Sequence, residues 1–189
     1  MLKDIIKDEP KIHTRNISLT TYPLSKKEII VEGILLDKSY QKIFTITGNV
    51  KEPGIIHHMA IRLLIKGDPL TIVDSEAEML NVPVEECKNT LDTLVKIKGI
   101  EIKSGFSNLI RKTIGDKKGC THLAHLVMVM GQEIVHGWLT HKRKNKSAVP
   151  ENIENFQGKD FILNSCRMWV KEGPRMKNLG QALQKDKHL

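Results

Sequence analysis

Aromatic residues are scarce: Phe, Trp and Tyr make up 4% of the 189 residues. The core must therefore be built from Ile, Leu, Val and Met, and a base-stacking platform for single-stranded nucleic acid is not expected. Cysteine is also rare. Cys87, Cys120 and Cys166 are odd in number and far apart, which is not a disulfide framework. No apolar run is long enough to span a bilayer, and Met1-Leu2-Lys3-Asp4 lacks the apolar region of a signal peptide. These absences predict a cytoplasmic protein with no membrane association and with reduced thiols, free to pack, bind metal or react. There is no internal repeat.

Hydrophobic residues are 40% and charged residues 28% of the chain, an ordinary balance for a globular domain. The net charge is +8, spread along the chain apart from one run, His141-Lys142-Arg143-Lys144-Asn145-Lys146. Cations are favourable after a helix C-terminus, so the run reads as a solvated helix end more readily than as a phosphate contact. Nucleic acid is not an expected partner.

The patterning divides the chain into residues 1–28, an irregular lead-in with an edge strand around Ile17–Thr21; 29–141, an α+β core; and 142–189, a linker and a helical appendage. Ile29–Asp37, rich in β-branched residues, reads as a strand, as do Lys42–Thr47, Ile55–Ile65 and Leu70–Met79. The last two form a hairpin around Gly67-Asp68-Pro69. A helical half follows. Pro83, Glu85 and Glu86 suit a helix start, with Cys87, Leu91, Leu94 and Val95 sharing one face. Phe106, Leu109, Ile110 and Ile114 give a short helix. Leu123, Leu126, Val127, Met130, Ile134 and Trp138 give a long one, ending near His141. After a linker over 142–156, Phe161, Ile162, Cys166 and Trp169 suit one more helix, broken at Glu172-Gly173-Pro174 before a basic tail.

The stretch Gly119-Cys120-Thr121-His122-Leu123 opens the long helix. Free backbone N–H groups and the helix dipole there favour an anion, and hence a thiolate at Cys120. Four residues carry candidate chemistry: His57, Cys87, Cys120 and His122. Thiolates and imidazoles are the ligands of zinc sites and iron–sulfur clusters, and with no C-x-x-C pair the fold itself would have to assemble the site. A buried cysteine is more often core than ligand, so Cys87 and Cys166 also suit packing, and His125 suits a solvent-facing or satisfied position. The same residues permit a metal-free thiol enzyme, with Cys120 as nucleophile and His122 or His57 as base.

From about Gly33 to Trp138 the chain resembles an uncharacterised prokaryotic family of unknown function. The resemblance lies in Ile56-His57-His58-Met59-Ala60-Ile61-Arg62-Leu63, Ile72-Val73-Asp74, Pro83 with Cys87, Gly105-Phe106 and, above all, Gly119-Cys120-Thr121-His122-Leu123. Where this chain has His58, that family usually has an acidic residue. A fainter resemblance is to the iron–sulfur cluster assembly scaffold family, in which a sheet packs against helices and cysteine, aspartate and histidine hold zinc or a nascent cluster. On that resemblance His57 falls near the family's aspartate, Cys87 near its middle cysteine and Cys120 near its last. The first cysteine has no counterpart, its place lying near Ile55, and Gly119 stands where the scaffold has histidine. The resemblance implies an inherited metal site put to another use.

The expectation is an α+β fold, an antiparallel sheet over residues 29–79 covered on one face by helices from 83–141. Its function would be binding of zinc or iron, or an iron–sulfur cluster, through His57, Cys87, Cys120 and His122. The alternatives are a thiol enzyme using Cys120 and a basic module for an acidic or phosphorylated partner. Substrate, protein partner and oligomeric state are left open.

Overall fold

The structure, a computed structural model, describes residues 1–145, 150 and 158–185. It is α+β. After a single helical turn, α1 (Leu2–Ile5), come the strands β1 (His13–Ser25), β2 (Glu28–Ser39), β3 (Ile43–Phe44), β4 (Val50–Lys51), β5 (Gly54–Lys66) and β6 (Thr71–Asn81). A 3₁₀ helix (Glu85–Ile97), α2 (Phe106–Ile114), a short 3₁₀ turn (Asp116–Lys118) and the long α3 (Thr121–Lys142) follow, then α4 (Lys159–Ile162) and α5 (Pro174–Lys185). Four strands form one antiparallel sheet in the order β1-β2-β5-β6, and β3 and β4 pair only with each other. Among the described residues no helix is long and apolar enough to cross a membrane.

Alternation fixes the sheet's two faces. On β2 the buried positions are Ile29, Val31, Gly33, Leu35, Asp37 and Ser39, and on β5 they include Met59, Ile61, Leu63 and Ile65. These point to one inner face, because side chains two apart share a face. Leu123, Leu126, Val127, Met130 and Ile134 of α3 are buried as their spacing predicts, together with Phe106, Ile110 and Ile114 of α2. Each such side chain contributes roughly 1.5–3 kcal/mol relative to full exposure. Helix α3 packs closely on the sheet at Gly33, where a Cβ would stand 2.8 Å from the Met130 sulfur and 3.1 Å from Leu126. A side chain at Gly33 would require Met130 and Leu126 to shift.

Several expectations need correction. The lead-in is not irregular: β1 is thirteen residues long and pairs with β2 along its whole length, Ile17 with Leu35 and Leu19 with Gly33. The edge strand expected around Ile17–Thr21 is its middle; the outward residues Asn16, Ser18 and Thr20 are polar, which hid the strand's full length. Lys42–Thr47 does not enter the main sheet; only Ile43–Phe44 is extended, paired with Val50–Lys51 in a separate small arm. The segment carrying Cys87 is a 3₁₀ helix. The Thr90 hydroxyl donates to the Cys87 carbonyl at 2.6 Å and the Thr93 hydroxyl to the Thr90 carbonyl at 2.7 Å. Residues three apart then share a face, so Thr93, Leu94 and Ile97 are buried while Val95 is exposed.

The chain divides into two compact units, Met1–Gly137 and Trp138–Leu189. The second takes in the end of α3, with Trp138 and Leu139 buried, then α4 and α5, with Met176 and Leu183 buried. Helix α4 ends at Ile162, so Cys166 and Trp169 do not continue it, and Cys166 is exposed. Pro174 opens α5 and the chain stays helical to Lys185, where a basic tail was expected; proline suits a first helical position. Lys146 of the basic run, most of the expected linker and the last four residues lie outside the described residues.

Candidate metal centre

One polar row crosses the inner face of the sheet. Arg15 on β1 is the register partner of Asp37 on β2, and Asp37 is the partner of His57 on β5. Asp37 continues the buried alternation Ile29, Val31, Gly33, Leu35, so the backbone delivers its carboxylate inward, where it is 1% exposed. A carboxylate so placed is costly unless paired and hydrogen-bonded. Arg15 closes a fork on it, Nε to Oδ1 at 2.7 Å and Nη2 to Oδ2 at 2.6 Å. His57 Nδ1 lies 3.0 Å from Oδ2. The guanidinium fork, chiefly, holds the Asp37 carboxyl below its ordinary pKa, with His57 adding to it against the opposing effect of burial. An ionised carboxylate can only accept, so His57 Nδ1–H donates and its ring lone pair is on Nε2.

The start of α3 brings the other half of the site. The Cys120 carbonyl accepts the first hydrogen bond of the helix, from Ala124 N–H at 2.9 Å, which makes Cys120 the capping residue. Gly119 sets the approach of the chain. A Cβ there would meet the Ile114 carbonyl oxygen at 2.6 Å and the Thr93 hydroxyl at 3.1 Å, so the glycine allows the end of α2 and the 3₁₀ helix to pack against the turn. Two residues on, His122 faces the sheet. Its ring centroid is 3.9 Å from that of His57, with the planes tilted by 34°. Burial lowers the His122 pKa, and its electrostatic interactions with His57, Arg15 and His125 lower it further, with Asp37 opposing. At neutral pH the ring is therefore uncharged, the form that binds metal.

Asp37, His57 and His122 each offer one ligand atom, and these atoms all lie within 4.8 Å of one another. Of the residues expected from sequence, His57 and His122 are thus brought together. Cys120 adjoins them, its Sγ 3.9 Å from His122 Nδ1, but is not one of the three. Cys87, half-buried near the start of the 3₁₀ helix, is not among them either. Asp37 and Arg15 were missed. Their signal was available: a charged residue in phase with a buried alternation.

A model of one family, described as a protein of unknown function (DUF2889), matches residues 13–136. The chain belongs to that family. The DUF2889 match begins at the first residue of β1 and ends within α3, so it takes in Arg15, Asp37, His57, Cys120 and His122. No curated protein matches the chain, and no solved structure does.

Proposed function

We propose that this DUF2889 domain binds a divalent metal, zinc or iron, through His57, His122 and Asp37, with Cys120 beside the set as a further donor. The observation that carries the reading is the convergence of the three ligand atoms within 4.8 Å on the inner face of the sheet. The donor chemistry fits. Two neutral imidazoles and a carboxylate suit zinc with an open position and suit non-haem ferrous iron. Asp37 has a limited share to give. Of its roughly four lone-pair sites, Arg15 and His57 take three. It can hold His57 in the tautomer that presents Nε2, as carboxylates do for metal-binding imidazoles, or give its last site on Oδ1 to the ion. The bound metal would supply Lewis acidity at its open positions, while the chain holds the two imidazoles in place. The set expected from sequence, with Cys87 as a ligand, is narrowed accordingly.

The test is elemental analysis of folded, reduced protein beside His57→Ala, His122→Ala, Cys120→Ser and Cys87→Ser. Near one equivalent of zinc or iron in the wild type and in Cys87→Ser, with little in either histidine variant, is expected. A wild type with only a trace of metal after incubation with zinc and with ferrous iron would remove the reading.

The contact of Cys120 Sγ with His122 Nδ1 favours one second reading, a thiol–imidazole pair without metal. Iodoacetamide separates the two. If Cys120 ligates, labelling is slow until a chelator is added; if it is a free nucleophile, labelling is fast without chelator.

A further inference from the structure

We infer that Arg15 is the anchor for an oxyanion, a carboxylate or a phosphate, that docks on the metal's open positions; the inference rests on the metal reading above. A guanidinium carries five N–H donors in a rigid fork. Two of them are spent on Asp37, and three are left on Nη1 and Nη2. The Arg15 side chain is 41% exposed while that of Asp37 is 2% exposed. The carboxylate is sealed beneath, and the unspent edge of the guanidinium is reachable by solute. Its orientation is already fixed by the fork and by the pairing of β1 with β2, so a ligand would find it preorganised. Arginine in this arrangement matches the two oxygens of a carboxylate or phosphate.

Charge points the same way. Arg15 and Asp37 form an ion pair whose charges cancel, so a divalent ion held by the imidazoles would leave the site with an excess of positive charge. An anion with one oxygen toward the metal and another toward Arg15 neutralises it.

A purely structural Arg15 would only neutralise Asp37. The experiment therefore uses Arg15→Lys, which keeps the charge and loses the planar fork. Zinc-loaded wild type and variant are titrated with oxalate and, separately, with inorganic phosphate, and zinc content is measured on the same samples. The expected result is zinc retained in both proteins, with affinity for at least one anion at least tenfold weaker in Arg15→Lys. Preference for oxalate or for phosphate tells a carboxylate from a phosphate ligand. Should the variant fold poorly, phenylglyoxal modification of Arg15 in the wild type, mapped by mass spectrometry, should slow severalfold when the anion is added to zinc-loaded protein and not when it is added to chelated protein. Equal anion affinities at equal zinc content, or no protection, overturn the anchor and leave the metal reading standing. A wild type that takes up no zinc and no ferrous iron overturns both.

Discussion

Two charged rows cross the same sheet, one on each face, and both are built from direct cross-strand neighbours. On the inner face the row is Arg15, Asp37 and His57. On the outer face Arg62 of β5 lies between Glu32 of β2 and Glu76 of β6, and also bonds Glu78. Local register makes each row equally well. What differs is solvent. The outer carboxylates are partly or largely open to water, their side chains 20%, 68% and 46% exposed for Glu32, Glu76 and Glu78. Such pairs contribute roughly 0–1 kcal/mol. Asp37 has no water to fall back on, so its partners must satisfy it, and a buried pair is a weak source of net stability. A fold gains little from a row of the inner kind, which could be replaced by apolar residues. On the metal reading proposed above, the placement of two imidazoles beside that carboxylate would give the row a use.

The largest expected effect follows from breaking the inner row. Asp37→Ala leaves Arg15 and His57 facing a hole and should destabilise the protein by about 2–4 kcal/mol, measured by urea unfolding, and should also abolish metal uptake. Equal losses for Asp37→Ala and Arg62→Ala would show that the two rows do not differ as argued. Next in size is Gly119→Ala. The added methyl group must displace the Ile114 carbonyl or the start of α3, at a cost of about 1–3 kcal/mol. Metal affinity should fall with it, since His122 moves, while additional removal of Arg62 should add its own small effect independently.

Acid should separate the rows further in chelated protein. The Asp37 carboxyl is held below its ordinary value in the folded state, so its contribution is complete above the unfolded pKa of about 3.9 and is lost as pH falls through the lower folded value. Wild type should therefore lose stability more steeply than Asp37→Asn below about pH 4, read by thermal melts across pH. Parallel curves would contradict the pairing. The smallest effect is at the outer row. Arg62→Ala should cost less than about 1 kcal/mol, and most of that should vanish in 1 M salt, where screening acts within about 3 Å.

Much of the fold was legible because apolar periodicity is strong where one face is buried. Ile29, Val31 and Leu35 announce β2, and Leu123 through Ile134 announce α3. β1 was less visible because an edge strand buries little: its inner residues Ile17, Leu19 and Thr21 are only half-buried and its outer ones polar. The arm at β3 and β4 looked like a strand of the main sheet because propensity does not say which partner a strand finds. Cys87 was placed on an α-helical face, but a 3₁₀ helix has a different period and turns the neighbouring residues elsewhere. At the centre, His57 and His122 could be named from residue type and position. Asp37 could be read as the polar end of an apolar strand, and only the register with Arg15 and His57, a property of pairing and not of one segment, shows it to be the middle of a row.

The central claim is that the inner row with His122 is a metal site and the outer row is not. It is tested most directly by titrating chelator-stripped protein with cobalt(II) and following the visible absorption of the bound ion in wild type, His122→Ala and Arg62→Ala. The account predicts saturation near one equivalent in wild type and in Arg62→Ala, and no saturable band in His122→Ala. A band of equal strength in His122→Ala, or none in the wild type, would contradict it.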